Sequence, residues 1–173
     1  GRAAFMQHLS DRLGTGNGGQ LALILLRIIG LEGVAENQGL SAAFELAARV
    51  ARSVAGVAPD GSLLARVADN AFALVLQPTT APKAHVIADT LRQRATQSLP
   101  SGPGGHVATN CITGLALAGP GDRSGAILLD QAFHDTEIQR VKGASPDAGR
   151  QPKRASEPPP GQRAIAPAVA RPV

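Results

Sequence analysis

The chain has 173 residues, which suits one domain with some additional length. Hydrophobic residues make up 43% of the chain and aromatic residues only 2%, with no Trp or Tyr, so the predicted core is aliphatic. The net charge is +4, but residues 1–143 carry 12 basic and 11 acidic residues, and residues 144–173 carry 5 and 2. Because the first segment is nearly neutral, the composition argues against a nucleic-acid partner.

Cellular location is indicated by three features of the sequence. No apolar run reaches about 18 residues, so no membrane span is predicted. The single cysteine, Cys111, excludes an internal disulfide and a cysteine-rich zinc site, and it favours a reducing, cytoplasmic location. No signal peptide is apparent, and Gly1 in place of Met indicates a parent protein that begins earlier.

The first predicted elements are a helix, a connector and a strand. Apolar residues at helical spacing begin at Phe5, and Gly14 is expected to end this helix. The glycine-rich residues 14–19 run from a helix into a strand, the reverse of a phosphate-binding loop, so they are interpreted as a connector. Leu21–Leu26 is a continuous apolar run typical of a strand buried on both faces, and Arg27 is expected to interrupt it.

A second helix and a hairpin follow. The segment from Gly30 to Gly39 is expected to be irregular, after which Ser41 caps a helix through about Ala55. The predicted buried face of this helix consists of Phe44, Ala47, Ala51 and Val54. Apolar residues then flank Asp69-Asn70, which predicts two strands and a tight turn over residues 63–76.

The last predicted elements are two helices and a strand. Thr80-Ala81-Pro82 begins a helix whose apolar stripe is Ala84, Ile87, Leu91 and Ala95. Residues 101–105 form a loop, residues 106–117 a strand, and residues 124–141 a helix stopped by Gly143. Without the first and last helices the order is β-α-β-β-α-β, which predicts an α+β, ferredoxin-like or palm fold with an antiparallel sheet and helices on one face.

Residues 144–173 have a different composition. They contain seven of the 13 prolines and almost no large apolar residue except Ile165. Such a segment cannot bury enough surface to offset its ordering entropy, so it is predicted to be a disordered or extended linker or tail. The predicted organisation is therefore a folded domain over residues 1–143 and a tail over residues 144–173.

Over residues 2–143 the sequence resembles a GGDEF domain, the diguanylate cyclase fold. The central match is the hairpin, where Arg66 and Phe72 stand at the ends of a segment that in the family is Arg-x-Gly-Gly-Asp/Glu-Glu-Phe. The other matches are Arg2-x-x-Phe5-x-x-x-Leu9, the strand Leu21–Leu26, Gly39, the apolar Ala73–Leu76, Ile112-x-Gly114-Leu115-Ala116, Ala132 and Gly143. The resemblance implies a fold in which two GTP-loaded domains face each other to make cyclic di-GMP.

The residues that would perform this chemistry are replaced. By the resemblance, metal-binding acids belong at the positions of Arg27 and Asn70, and a third acid belongs at Ala71. Mg²⁺ prefers carboxylate oxygens, and an arginine repels it. Ala68 and Asp69 replace the paired glycines that let backbone amides approach phosphate. The degenerate signature is thus Ala68, Asp69, Asn70, Ala71 and Phe72, with no metal or other cofactor expected.

Other positions of the family's ligands have also changed. The residues at the guanine-contacting positions, Ala35 and Phe44, cannot hydrogen-bond a base edge. Pro59-Asp60-Gly61-Ser62 replaces the Arg-x-x-Asp motif of the inhibitory product site, so no cyclic di-GMP binding is predicted there. Arg140 stands where the family often has a phosphate-binding Lys, so Arg27 and Arg140 are the candidates for a residual phosphate contact.

The sequence therefore predicts an inactive GGDEF-like regulatory or protein-interaction domain of a bacterial cyclic di-GMP signalling protein, in which an EAL phosphodiesterase domain commonly follows. Its expected partner is a protein or neighbouring domain, and homodimerisation stays open. The first alternative is a GTP-sensing domain without turnover. Others are an active cyclase that uses Glu32 or Glu36, a metal held by Asp69 after a register slip, and an unrelated ferredoxin-like module. Cys111 is expected to be a buried structural thiol, and no pair of His8, His85, His106 and His134 has zinc-ligand spacing.

Overall fold

The computed structural model of the protein describes residues 1–101 and 107–143. The predicted tail, residues 144–173, and His106 lie outside the described residues. The elements in chain order are α1 (Arg2–Thr15), β1 (Ala22–Ile29), α2 (Leu31–Gln38), α3 (Leu40–Ala55), β2 (Leu63–Ala68), β3 (Ala71–Leu76), α4 (Ala81–Gln97), β4 (Asn110–Leu117) and α5 (Gly125–Gly143).

The four strands form an antiparallel sheet in the order β2-β3-β1-β4. This order places β1 in the interior of the sheet and leaves β2 and β4 at its two edges. The prediction of an α+β fold built on an antiparallel β-α-β-β-α-β core is confirmed.

Both faces of the sheet are covered, which explains the unbroken apolar run in β1. Ile24, Leu26 and Ile28 belong to the hydrophobic core that α3 and α4 complete on one face. Leu23 and Leu25 belong to a second core, completed by α1 and α5 on the opposite face. Alternate residues of a strand point to opposite faces, so a central strand between two helical layers must be apolar at every position. The expectation of helices on one face holds for α3 and α4, which belong to the β-α-β-β-α-β core. The first and last helices, α1 and α5, cover the opposite face.

Two predicted boundaries in the first third of the chain are wrong. Gly14 lies inside α1, and the helix ends at Gly16, whose φ of 62° gives the left-handed cap. Arg27 does not interrupt β1, because the strand continues to Ile29 and pairs with β4 along its whole length. Ladder hydrogen bonds are made by the backbone, so a polar side chain near a strand end does not break them.

The segment from Gly30 to Gly39 contains α2, whereas the sequence predicts an irregular connection there. Leu31 and Val34 anchor this helix in the core. A Cβ at Gly30, whose φ is 88°, would overlap the carbonyl oxygen of Ala108, so only glycine fits the entry to α2.

The prediction for α3 is wrong in its cap and in one residue of its buried face, Phe44, whereas Ala47 and Val54 are buried and Ala51 packs against the core as predicted. Its N-cap is Gly39, and Ser41 lies within the helix without a capping hydrogen bond. The Phe44 side chain is 54% exposed. The buried residues are Ala43, Leu46, Ala47, Val50 and Val54.

The predictions for the hairpin, α4 and α5 are confirmed. The Thr80 side chain accepts a hydrogen bond from the Lys83 N–H at 3.4 Å, with Pro in the first turn of α4. Within residues 107–117 the fourth strand begins at Asn110, later than predicted. No helix in the described ranges is long and apolar enough to cross a membrane.

Candidate functional site

Arginine side chains stabilise the turn between β2 and β3 by donating hydrogen bonds to backbone carbonyl oxygens. A bulge between Arg66 and Ala68 precedes the turn at Asp69 and Asn70. The Arg66 guanidinium donates to the carbonyl oxygens of Ala68, at 3.3 Å, and Asp69. None of the described non-glycine residues has a positive φ, so the turn forms without a left-handed conformation at Asp69 or Asn70.

Arg2, the first residue of α1, fixes the hairpin to the helical layer. Its Nη1 donates to the carbonyl oxygen of Val67 at 2.9 Å, and Val67 is buried. Val67 lies at the bulge, where a backbone carbonyl loses its ladder partner. The arginine at the start of the chain therefore satisfies an acceptor 65 residues away.

The strand register brings three of the sequence-predicted site residues together. Arg27 of β1 lies directly opposite Ala71 of β3. The Ile28 N–H donates to the carbonyl oxygen of Asn70 at 2.8 Å, and Asn70 Nδ2 donates to the carbonyl oxygen of Ile28 at 3.3 Å. Because the amide of Asn70 acts as a donor to the backbone, it holds the turn against the end of β1.

The Arg27 side chain extends to α5 and contacts three residues on one face of that helix. The guanidinium donates to Thr136 Oγ1 at 3.1 Å and forms an ion pair with Glu137. Its Cζ lies 5.7 Å from the centroid of the Phe133 ring, within the distance of a cation–π contact. Only 17% of the Arg27 side chain is exposed. The positive charge of Arg27 is therefore held by contacts within the protein.

Glu137, which the sequence analysis did not identify, is the acidic centre of this site. Its carboxylate also lies 3.6 Å from the Arg140 guanidinium, one helical turn along α5. The hydrogen bond from Arg27, followed by the charges of Arg27 and Arg140, lowers the pKa of Glu137 despite an opposing contribution from desolvation. Both proposed phosphate-contacting arginines thus share one carboxylate.

Comparison with solved structures shows which proteins share the fold of this chain. The GGDEF domain of DgcB from Caulobacter crescentus, solved in complex with c-di-GMP, superposes with a TM-score of 0.72 at 20% identity, over 82% of this chain and 83% of that one. The GGDEF domain of PA1120 (YfiN or TpbB) from Pseudomonas aeruginosa gives 0.70 at 25% identity, over 82% and 89%. The diguanylate cyclase SiaD of the same species, in complex with its activator SiaC, gives 0.72 at 16% identity, over 82% and 55%.

The chain has the GGDEF fold.

Sequence comparison adds two findings. No protein-family model matches the chain. Uncharacterized proteins of Mycobacterium tuberculosis (Rv1354c) and Mycobacterium bovis (Mb1389c) are each 29% identical to it over 133 residues, which is 76% of this chain. The chain spans about a fifth of the length of these curated relatives, 21% in each case.

At the three positions where the resemblance implies acidic residues, the side chains offer no carboxylate. Arg27 is cationic, Asn70 presents its donor nitrogen to a backbone carbonyl, and Ala71 has only a methyl group. Asp69 is exposed, and the Glu137 carboxylate is already paired with two guanidiniums. Residues 1–101 and 107–143 contain no group of three His, Cys, Asp or Glu residues that could hold a metal ion.

The other positions implied by the GGDEF resemblance carry few polar groups. Ala35 packs against the core from α2, and Phe44 is exposed on α3. At the position of the inhibitory site, residues 59–62 form a turn in which the Ser62 N–H donates to the carbonyl oxygen of Pro59 at 3.1 Å. That cyclic di-GMP does not bind this surface stays a prediction.

Cys111 and the described histidines lie apart from this site. Cys111 is buried in β4, and burial raises the pKa of its thiol to about 12. A neutral thiol at neutral pH is a poor nucleophile. His8 accepts a hydrogen bond from Arg12, and His85 and His134 are exposed on separate helices.

Proposed function

We propose that the chain is a catalytically inactive GGDEF domain that acts as a regulatory or protein-interaction module in a bacterial cyclic di-GMP signalling protein. The observation that carries this proposal is the placement of Arg27. It occupies the end of β1, opposite Ala71, and is held there by Thr136, Glu137 and Phe133 of α5.

The electrostatic argument concerns the charge at this position. Cyclisation of GTP in this fold relies on divalent metal held by carboxylates beside the triphosphate. Two like charges about 4 Å apart at a protein surface repel by on the order of 4 kcal/mol, so a fixed guanidinium opposes metal binding. Glu137 does not compensate, because its single carboxylate is shared by Arg27 and Arg140. These three groups carry a net positive charge and leave no anionic group free for an ion.

The proposed partner is another protein or a neighbouring domain. The region matched to this chain is only 21% of each curated relative, which is consistent with a module inside a larger protein. SiaD, whose fold this chain shares, is bound by an activator protein. An EAL phosphodiesterase domain and a second copy of the chain are the partners that the resemblance suggests. We place the function in bacterial cells, on the cytoplasmic side.

Activity with GTP tests the proposal directly. The 173-residue chain is incubated with GTP and Mg²⁺, and cyclic di-GMP is quantified by mass spectrometry. The active GGEEF domain of the Vibrio cholerae diguanylate cyclase, which has the same fold, serves as the positive control. We expect no product above the protein-free reaction. Product that rises in proportion to the concentration of the chain and disappears after its heat denaturation would refute inactivity.

A second candidate function is GTP sensing without turnover. Two features favour it: both Arg27 and Arg140 converge on Glu137, and Arg27 Nε is buried without a hydrogen-bond partner among the described residues. A phosphate group is a stronger, multidentate acceptor for guanidinium, so it can compete for the position of the Glu137 carboxylate.

Calorimetry with GTP, with and without Mg²⁺, separates the two functions. If GTP displaces Glu137, the Glu137→Gln variant binds GTP more tightly than the wild type, because the competing carboxylate is gone. Asp130→Asn, an exposed change on the same helix, is the matched control and leaves affinity unchanged. Absence of heat for the wild type and for both variants eliminates GTP sensing at this site.

A further inference from the structure

A cavity lies at the end of the sheet opposite the hairpin. Its volume is about 570 Å³, and its walls are the α1–β1 connection, Gln77 and the segment from Ala118 to Arg123. Leu21 lines the cavity, whereas Arg27 lies six positions further along the same strand direction, roughly 20 Å away. Pockets for small molecules are typically about 300–1,000 Å³, so the volume suits such a ligand.

Two arginines give this cavity a positive charge. Arg123 Nη1 donates to the carbonyl oxygen of Leu13 at 2.7 Å, and Arg12 Nε donates to His8 Nε2 at 2.8 Å. Within residues 1–101 and 107–143, neither guanidinium makes a further hydrogen bond or an ion pair. The one acidic residue in the lining, Asp122, accepts the Gly119 N–H at 2.6 Å through its Oδ2.

Three glycines line the cavity without adding side chains to it. Gly16, Gly19 and Gly121 line it with φ values of 62°, 76° and 109°, a region in which side-chain-bearing residues are strained. A Cβ at Gly16 would lie 3.8 Å from Arg123 Nη1. The absence of side chains at these positions leaves room for a ligand to approach the backbone and the guanidiniums closely.

A role in stabilising the C-terminus of α1 explains the placement of only one of the two arginines in the cavity. A cation near the last carbonyls of a helix is favourable, and Arg123 meets this role through its bond to Leu13. The two terminal nitrogens of Arg12 have no such acceptor in the described chain. They are available for an anion, and guanidinium matches the geometry of phosphate oxygens.

We propose that this cavity binds a small phosphate-bearing molecule, held by Arg12 and Arg123. The proposal does not depend on whether the GGDEF site binds GTP, because the two sites are at opposite ends of the sheet. The bound group is a phosphate, and titration distinguishes free phosphate from a phosphate attached to a nucleoside.

Amide chemical shifts of the ¹⁵N-labelled 173-residue chain test the proposal. Inorganic phosphate, pyrophosphate and GTP are titrated separately to about 10 mM, since millimolar dissociation constants correspond to about −4 kcal/mol. Ionic strength is held constant so that general screening does not change. We expect saturable shifts confined to residues 12–21, Gln77 and residues 118–123. Tighter binding of GTP than of phosphate would identify a nucleotide as the ligand.

Matched arginine variants assign the effect to the cavity. Arg12→Gln is expected to weaken binding about tenfold, or ~1.4 kcal/mol. Arg49→Gln, a change on the exposed face of α3, is expected to leave it unchanged. Absence of shifts, shifts centred on residues 69–72, equal effects of the two variants, or acetate binding as tightly as phosphate would each overturn the proposal.

Discussion

Gly114 of β4 packs directly against the backbone of α5, and replacing it tests the packing that positions Thr136 against Arg27. In Gly114→Ala the new Cβ would overlap the carbonyl oxygen of Ala132 and lie 2.7 Å from the backbone nitrogen and the Cγ2 of Thr136. Two of these three atoms are helix backbone, which cannot move aside by rotating a side chain. The helix as a whole must therefore shift away from β4.

Overpacking of this kind costs about 1–3 kcal/mol, and the backbone overlap places Gly114→Ala at the upper end, about 3 kcal/mol. For a chain of this length each kcal/mol lowers the melting temperature by about 2–4 °C, which gives a fall of roughly 6–12 °C. Thermal unfolding followed by circular dichroism measures it. The same displacement separates Thr136 from the Arg27 guanidinium.

Gly14→Ala is the matched control. Gly14 lies inside α1, a Cβ added to it would meet no atom within 4 Å, and its φ is not positive. Alanine there should stabilise the helix by about 0.5–1 kcal/mol. The packing argument fails if Gly114→Ala melts within about 1 °C of the wild type, well inside the shift expected for even 1 kcal/mol, or if Gly14→Ala loses as much stability.

Three further predictions concern individual contacts. The lowered pKa of Glu137 means that its carboxylate contributes stability above its unfolded pKa and loses that contribution as the pH falls through the folded pKa. Glu137→Gln should therefore lower the urea midpoint at pH 7 and reduce the difference between midpoints at pH 7 and pH 3; an unchanged difference contradicts the ion pair. The Asp135 carboxylate accepts the Leu115 N–H at 2.8 Å, so Asp135→Ala should cost about 1.5–3 kcal/mol and speed hydrogen exchange at Leu115, whereas Asp130→Ala should do neither. Cys111 should resist a thiol reagent at pH 8 in the native chain and react only in denaturant, because burial raises its pKa to about 12; rapid native labelling would show that the strand opens.

The fold was predictable because its strongest signals are local. The apolar run of β1 and the hairpin around Asp69 follow directly from period and turn chemistry. The helix α2 escaped prediction because it has eight residues, two buried side chains and no side-chain cap. In α3, alanines on several faces leave the phase of the helix ambiguous, and the largest side chain, Phe44, proved to be exposed.

The candidate site was predictable in position but not in its contacts. The antiparallel pairing of β3, the second strand of the hairpin, with β1 sets Arg27 opposite Ala71. The pairing of Arg27 with Glu137 joins residues 110 positions apart, and no pattern in either segment indicates it. Glu137 and Arg140 are three residues apart on one helix, a spacing that favours a local pair and carries no information about Arg27. Contacts between a strand end and a distant helix depend on the tertiary packing.

The Arg27–Glu137 pair also affects how easily this site can regain an anionic character. Arg27→Asp alone would place a second negative charge on the side of β1 that faces Glu137, where like charges repel. Removing Glu137 first would leave a largely enclosed guanidinium without its counter-charge. Each single change therefore costs stability, so the arginine and the glutamate each constrain what can stand at the other position.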